Sequence, residues 1–267
     1  VARGVSTVLD VAVCLLLVGA AMTTLTVGIP NGGRHTVGDS TTPDADVPAR
    51  TLATVTADVS APRNRTVHGT LADHLGRAAV ANTSLDGDSL SDGEYAGAVA
   101  TETAETTGRR VAVTARWEPY PGAPLRGTVT AGRMPPTDAD VAVTRHVVAT
   151  GIDASMADPD SFGTLARALA TAYVEWRFPP ERTRAALVDE RTAPATADRY
   201  RTAAAPLGAD IEGALAEADT RRTNELLANA LANRLEADLR ERYDTPAAAA
   251  EASAPDRTVL VVRRWDR

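Results

Sequence analysis

The sequence contains no lysine. All 28 of its basic residues are arginine, and 35 acidic residues outnumber them, for a net charge of −7. A chain without a basic surplus has little with which to neutralise a track of phosphates, so nucleic-acid binding is excluded as a class. A polybasic surface adhering to lipid is excluded for the same reason. Aromatic residues make up only 4% of the chain, with just two Phe. The core must therefore be assembled from Ala, Val and Leu, which bury less area each and give modest stability per residue. One cysteine, Cys14, rules out an internal disulfide. Also missing are a P-loop, a Gly-rich dinucleotide turn, a Cys/His metal set and a nucleophile elbow. No catalytic, cofactor-binding or metal-ligating residue is assigned, and the chain reads as non-enzymatic, with no cofactor.

What the sequence does have is one long apolar run. Val11 to Ile29 reads VAVCLLLVGAAMTTLTVGI without a charge, and about 20 such residues span a bilayer as a helix. The hydroxyls of Thr23, Thr24 and Thr26 can bond back to helix carbonyls, and Pro30 to Gly33 end the helix. Arg3, ahead of the run, places the N-terminus in the cytoplasm, although Arg34 beyond it weakens the signal. The expected organisation is a cytoplasmic head over 1–10, a transmembrane helix over 11–30, a linker over 31–49 and an extracytoplasmic domain over 50–267. This is a single-pass protein of the cell membrane. Three fates of the segment stay open: an uncleaved anchor, a secretory signal cut after Ala20, and a prepilin-type signal. In the third, Arg3 and Gly4 precede the cut and Val5 becomes the first mature residue. Asp10 would then be the sixth residue, one place beyond the acidic position usual in pilins. At the headgroup level its carboxylate costs little; in a pilin-like assembly it would pair with a neighbouring subunit's amine.

The remainder predicts an α+β fold with an antiparallel sheet and several helices. A short strand is expected within 51–59. Val67, Leu71, Leu75 and Ala78 predict a helix over 66–81. His68 and His74 lie six residues apart rather than four, which suits structural histidines better than a metal pair. Asp86, Asp88, Asp92 and Glu94 sit in a Gly- and Ser-rich stretch, but Leu90 and Ser91 occupy positions where a calcium loop needs an oxygen ligand and a glycine. It reads as a solvated acidic loop. Strands over 110–117, 126–131 and 141–148 predict a three-stranded meander. Asp158-Pro159 marks a helix start, with Phe162, Leu165, Leu169, Tyr173 and Trp176 on one face. Pro180 opens another helix, through Leu187. Leu207 to Tyr243 predicts a long helical stretch with a bend or break near 220–224. After an Ala-rich connector over 247–254, Val259 to Trp265 reads as a terminal strand closing a sheet edge. Asn64 and Asn82 begin glycosylation sequons.

The head from Arg3 to Leu17, with Trp117-Glu118-Pro119-Tyr120-Pro121, Met134-Pro135-Pro136 and Phe178-Pro179-Pro180, resembles an uncharacterised haloarchaeal family of pilin-like single-pass membrane proteins, associated with type IV pilus or secretion gene clusters. All-arginine usage with abundant Ala, Thr, Asp and Val suits a halophilic archaeon, or a high-GC bacterium. The resemblance implies a structural or assembly component of a type IV pilus-like or related secretion system, with other pilin-like subunits or secretion components as partners. It carries over no catalytic residue. The alternative is a stand-alone membrane-tethered binding module.

Overall fold

The computed structural model describes residues 44–61, 65–154 and 159–266, all within the unit Thr42–Arg267. In chain order the elements are α1 (Asp46–Thr54), β1 (Thr56–Ala61), β2 (Arg65–Thr70), α2 (Leu71–Ala81), β3 (Thr83–Leu85), β4 (Asp88–Ser89) and α3 (Glu94–Thr107). Strands β5 (Val111–Trp117), β6 (Leu125–Ala131) and β7 (Val141–Ala149) follow. Next come helices α4 (Phe162–Arg177), α5 (Pro180–Val188), α6 (Ala193–Ala204), α7 (Glu212–Ala216), α8 (Thr220–Arg242) and α9 (Pro246–Ala252), then β8 (Arg257–Trp265). The fold is α+β: β1 and β2 form a hairpin, and the other strands make an antiparallel sheet in the order β4-β3-β6-β5-β8-β7.

Helix α2 is the keystone of the sheet's inner face. Thr70 caps it reciprocally with Asp73, each side chain taking the other's backbone N–H, which satisfies two of the helix's orphan donors. Leu71, Leu75, Ala78 and Ala79 are fully buried. The approach to β6 is so close that a Cβ on Gly127 would lie 1.8 Å from the Ala79 carbonyl oxygen. Only glycine fits there.

A second body of helices closes around α4 and α8, which pack along one another. The stripe Leu227, Leu231, Leu235 and Leu239 is buried, as are Leu165, Leu169 and Tyr173. Tyr173 stacks on Trp117 at 5.6 Å, joining the helices to the sheet. The Trp117 indole N–H donates to the Pro255 carbonyl at 2.8 Å, and Pro119 accepts from the Ala254 N–H at 2.9 Å. The Trp-Glu-Pro-Tyr-Pro segment thus docks the chain just ahead of β8. Phe178-Pro179-Pro180 has a similar explanation. Asn224 donates to the Phe178 carbonyl at 2.8 Å and Thr220 to that of Pro180 at 3.1 Å. Met134, by contrast, is more than half exposed, and nothing in the structure explains Met134-Pro135-Pro136.

Several expectations are corrected. Helix α1 takes in positions 46–49 of the expected linker and 51–54 of the expected strand, so the strand starts at Thr56. The helix expected over 66–81 begins at Leu71, because residues 65–70 pair with β1. The stretch over 82–93 holds the small hairpin of β3 and β4 rather than a plain loop. The meander fails at its third strand: β7 pairs with β8, not β6. Strand β8 sits inside the sheet, between β5 and β7, and closes no edge. Helix α4 is capped by Ser161, which accepts from the Thr164 N–H, three residues after the expected start. The break in the long helical stretch falls just before Thr220, where Asp219 caps α8. The Ala-rich connector is the helix α9.

Candidate interaction surface

The pairing register sorts the side chains of β7 and β8 between two faces. Val148, Thr258 and Thr144 point inward, where Val148 lies against Gly76, Thr258 donates to the Gly76 carbonyl and Thr144 donates to Asp46 of α1. Val141, Val143, Arg145 and Val147 point the other way, opposite Trp265, Arg263, Val261 and Val259. Of these, Val141, Val143, Val147 and Val259 are 37%, 49%, 58% and 39% exposed. That is four of the seven exposed large apolar side chains among the described residues, gathered on two adjacent strands. Trp265 and Ala112 are buried on this same face, yet they stand outside the main core cluster. Arg263 spans from β8 to the Thr114 hydroxyl of β5, at 3.2 Å. Arg116, Thr128 and Thr130 continue the face as an exposed polar margin.

Strand β7 is also an edge. It bonds to β8 along all nine residues, and no other described strand pairs with it. It carries neither proline nor a bulge. A long regular edge leaves a row of backbone N–H and C=O groups ready to pair with another strand, and contiguous exposed apolar area marks a contact site. The arrangement can add a strand and bury valine.

Sequence reading placed β7 but did not single out this face. The signal was present: within 141–148, the odd positions hold three valines and the even ones hold Ala142, Thr144, His146 and Val148. Alternation alone assigns the odd stripe to the core, which is the reverse of what the fold does.

The sites anticipated from sequence are placed as follows. Arg3, Gly4, Val5 and the apolar run lie outside the described residues, as does Asn64. No helix among the described residues is long and apolar enough to cross a membrane. Asn82 is half-buried at the C-cap of α2; its amide donates to the Thr128 carbonyl at 2.9 Å and accepts from Ser91. A sugar on that nitrogen would compete with the bond to β6. In the acidic stretch, Asp86 forms an ion pair with Arg234 of α8 and Asp92 accepts the Glu94 N–H. No three His, Cys, Asp or Glu among the described residues gather as a metal site.

The two histidines are separate. His68 is exposed on β2 and contacts Asp58 across the hairpin. His74 is fully buried, with Nε2 3.0 Å from the Ala57 carbonyl and Nδ1 2.9 Å from the Tyr95 hydroxyl. A carbonyl only accepts, so Nε2 donates to Ala57. Burial pushes the Tyr95 phenol up to about 12, with Arg77 opposing.

Fold and surface together define an α+β domain whose main sheet, among the described residues, is covered by helices on one face and has β7 as an edge with an exposed valine stripe on the other. The chain belongs to DUF7284, a family of unknown function whose model matches residues 9–265. The match includes the apolar run and the domain, and begins beyond Arg3, Gly4 and Val5. No curated protein and no solved structure matches the chain.

Proposed function

We propose that this protein is a non-enzymatic structural or assembly component of a type IV pilus-like or related secretion system. In this reading residues 11–30 hold it in the cell membrane, and the α+β domain works outside the cytoplasm by contact with other subunits. The observation that carries the reading is the open β7 edge with its valine face, a surface suited to strand addition. The family model spans both 11–29 and the domain.

The test is the N-terminal residue of the native protein in membrane fractions, with and without replacement of Gly4. A start at Val5 that is lost in a Gly4 variant supports the pilin-type component. An intact N-terminus, indifferent to Gly4, overturns it in favour of the stand-alone tethered binding module, for which the same edge would receive a strand from an envelope partner. A soluble product starting near residue 21 removes both.

A further inference from the structure

We propose that a cavity where α1, the end of α3 and the last residues of β8 meet binds a phosphate group. Its volume is about 330 Å³, and Arg109, Arg110, Arg264 and Asp266 line it together with the apolar Val47 and Pro48. The volume falls at the lower end of the range for small-ligand sites, about 300–1,000 Å³. Three arginines and one aspartate are among the lining residues, a local inversion of charge in a chain of net −7.

These arginines are also underused. Elsewhere in the domain Arg201, Arg221, Arg222, Arg240 and Arg242 lie within 3.2 Å of a carboxylate oxygen. Arg109 makes no hydrogen bond or ion pair with any described residue. Arg110 reaches Asp266 only at 3.8 Å, the longest of the described ion pairs. Arg264 spends one nitrogen on the Asp44 carbonyl, at 3.2 Å. Asp44 and Asp46 of the entering chain are not among the lining residues; Asp44 accepts the Asp46 N–H at 2.8 Å, and Asp46 accepts from Thr144. Gly108, at φ +83°, turns the chain between α3 and β5 and delivers Arg109 and Arg110 side by side. Guanidinium forks match phosphate oxygens in pairs. A single cluster of this kind holds one phosphate and cannot follow a polymer, consistent with the overall acidity. The exposed Val47, with the buried Pro48 beneath it in the lining, adds an apolar side that suits a phosphate carrying a glycerol or alkyl group. A lipid headgroup and free phosphate share this chemistry; only the lipid source rests on the membrane tether proposed above.

The experiment uses the full chain in a maltoside detergent, which carries no phosphate. Inorganic phosphate and dihexanoyl phosphatidylglycerol, below its micellar concentration, are titrated separately by calorimetry, against the native chain and against Arg109→Ala and Arg110→Ala. Because the Arg109 side chain makes no hydrogen bond or ion pair among the described residues, its variant is expected to keep native circular dichroism. Saturable binding weakened about tenfold or more by Arg109→Ala is expected for a lost charge-assisted contact. Binding of the lipid alone assigns the headgroup as the source; binding of phosphate alone assigns the free anion. No saturable binding of either at millimolar concentration, or affinity unchanged in both variants, overturns the site. Processing at Gly4 does not enter this measurement, so the two readings fail separately.

Discussion

Replacing Asn224 by leucine tests whether the helices around α8 are held by a buried polar knot. Asn224 is 5% exposed, and its amide serves two groups at once. Its Oδ1 accepts the Tyr200 O–H at 2.8 Å, while its Nδ2 donates to the Phe178 carbonyl at 2.8 Å. Tyr200 is fully buried and stacks on the Phe178 ring at 4.1 Å. Leucine keeps the branching at Cγ, though it is bulkier, and strands a hydroxyl and a carbonyl in the interior. Each stranded group costs about 1–3 kcal/mol. Thr183, beside the Tyr200 hydroxyl, offers that group a partial substitute, which brings the expected loss to about 2–4 kcal/mol. At about 2–4 °C per kcal/mol for a domain of this size, Tm should fall by roughly 5–15 °C. Tyr200→Phe strands only the amide oxygen and should cost about half as much. The double variant should then recover about 1 kcal/mol relative to the sum. Thermal or urea unfolding of the full chain, followed by tryptophan fluorescence, reads this directly, since Trp117, Trp176 and Trp265 all lie in the folded domain. A loss below about 1 kcal/mol for Asn224→Leu, or strict additivity, would refute the knot.

Gly127→Ala drives a methyl into the Ala79 carbonyl; backbone must move, and a destabilisation above about 3 kcal/mol in urea unfolding is expected, whereas native stability would mean that α2 does not approach β6 so closely. The folded phenols resist ionisation: burial raises Tyr95 from 10.0 to about 12, and raises Tyr120 and Tyr200 further. Since these acids are raised on folding, their stabilisation is complete below pH 10 and lost as pH climbs towards 12 and beyond; absorbance at alkaline pH should show tyrosinate appearing together with unfolding, and Tyr95→Phe should flatten the early part of the decline. Val143→Glu with Val147→Glu should leave Tm within about 1 °C, because both side chains are exposed, yet abolish self-association or partner capture in cross-linked native membranes; unaffected cross-linking would remove the β7 face as the contact.

How much was legible can be argued residue by residue. Strands β5, β6 and β7 were readable within one residue at each end, because Val111, Val113, Ala115 and Trp117 alternate and Pro119 to Gly122 announces the turn. The pairing of β8 was not readable. Local sequence favours hairpin neighbours, whereas β8 reaches β5 across more than a hundred residues, and only the packed sheet selects that partner. The start of α2 was misplaced because Val67 and Leu71 mimic helical spacing. The corrective signal was the reciprocal cap of Thr70 and Asp73, weaker in sequence because Asp stands where Glu is usual. Helices α3 and α6 passed unread because they bury small or polar groups, such as Ala96 and Thr103, and Thr196 and Ala203. Of the processing and glycosylation residues, only Asn82 falls within the described chain, and its sequon gave no hint that its amide clasps β6.

The valine face follows from the topology. Strands β7 and β8 are neighbours in space, yet the chain between them carries all six helices from α4 to α9. Those helices attach through Tyr173 on Trp117 and through the Pro255 and Ala254 backbone, while α1 and α2 occupy the inner face of β7 and β8. A strand with one solvated face is expected to put its valines inward and its polar residues outward. In β7 the inner stripe is Ala142, Thr144, His146 and Val148, and the outer one holds three of the strand's four valines. Thr144 on the inner side has a partner in Asp46 of α1, whereas His146 on the same side is exposed. The inversion therefore lies in the sequence itself. Local pattern and global fold disagree at this strand while agreeing along β5 and β6, and such a disagreement is what the proposed contact at β7 calls for.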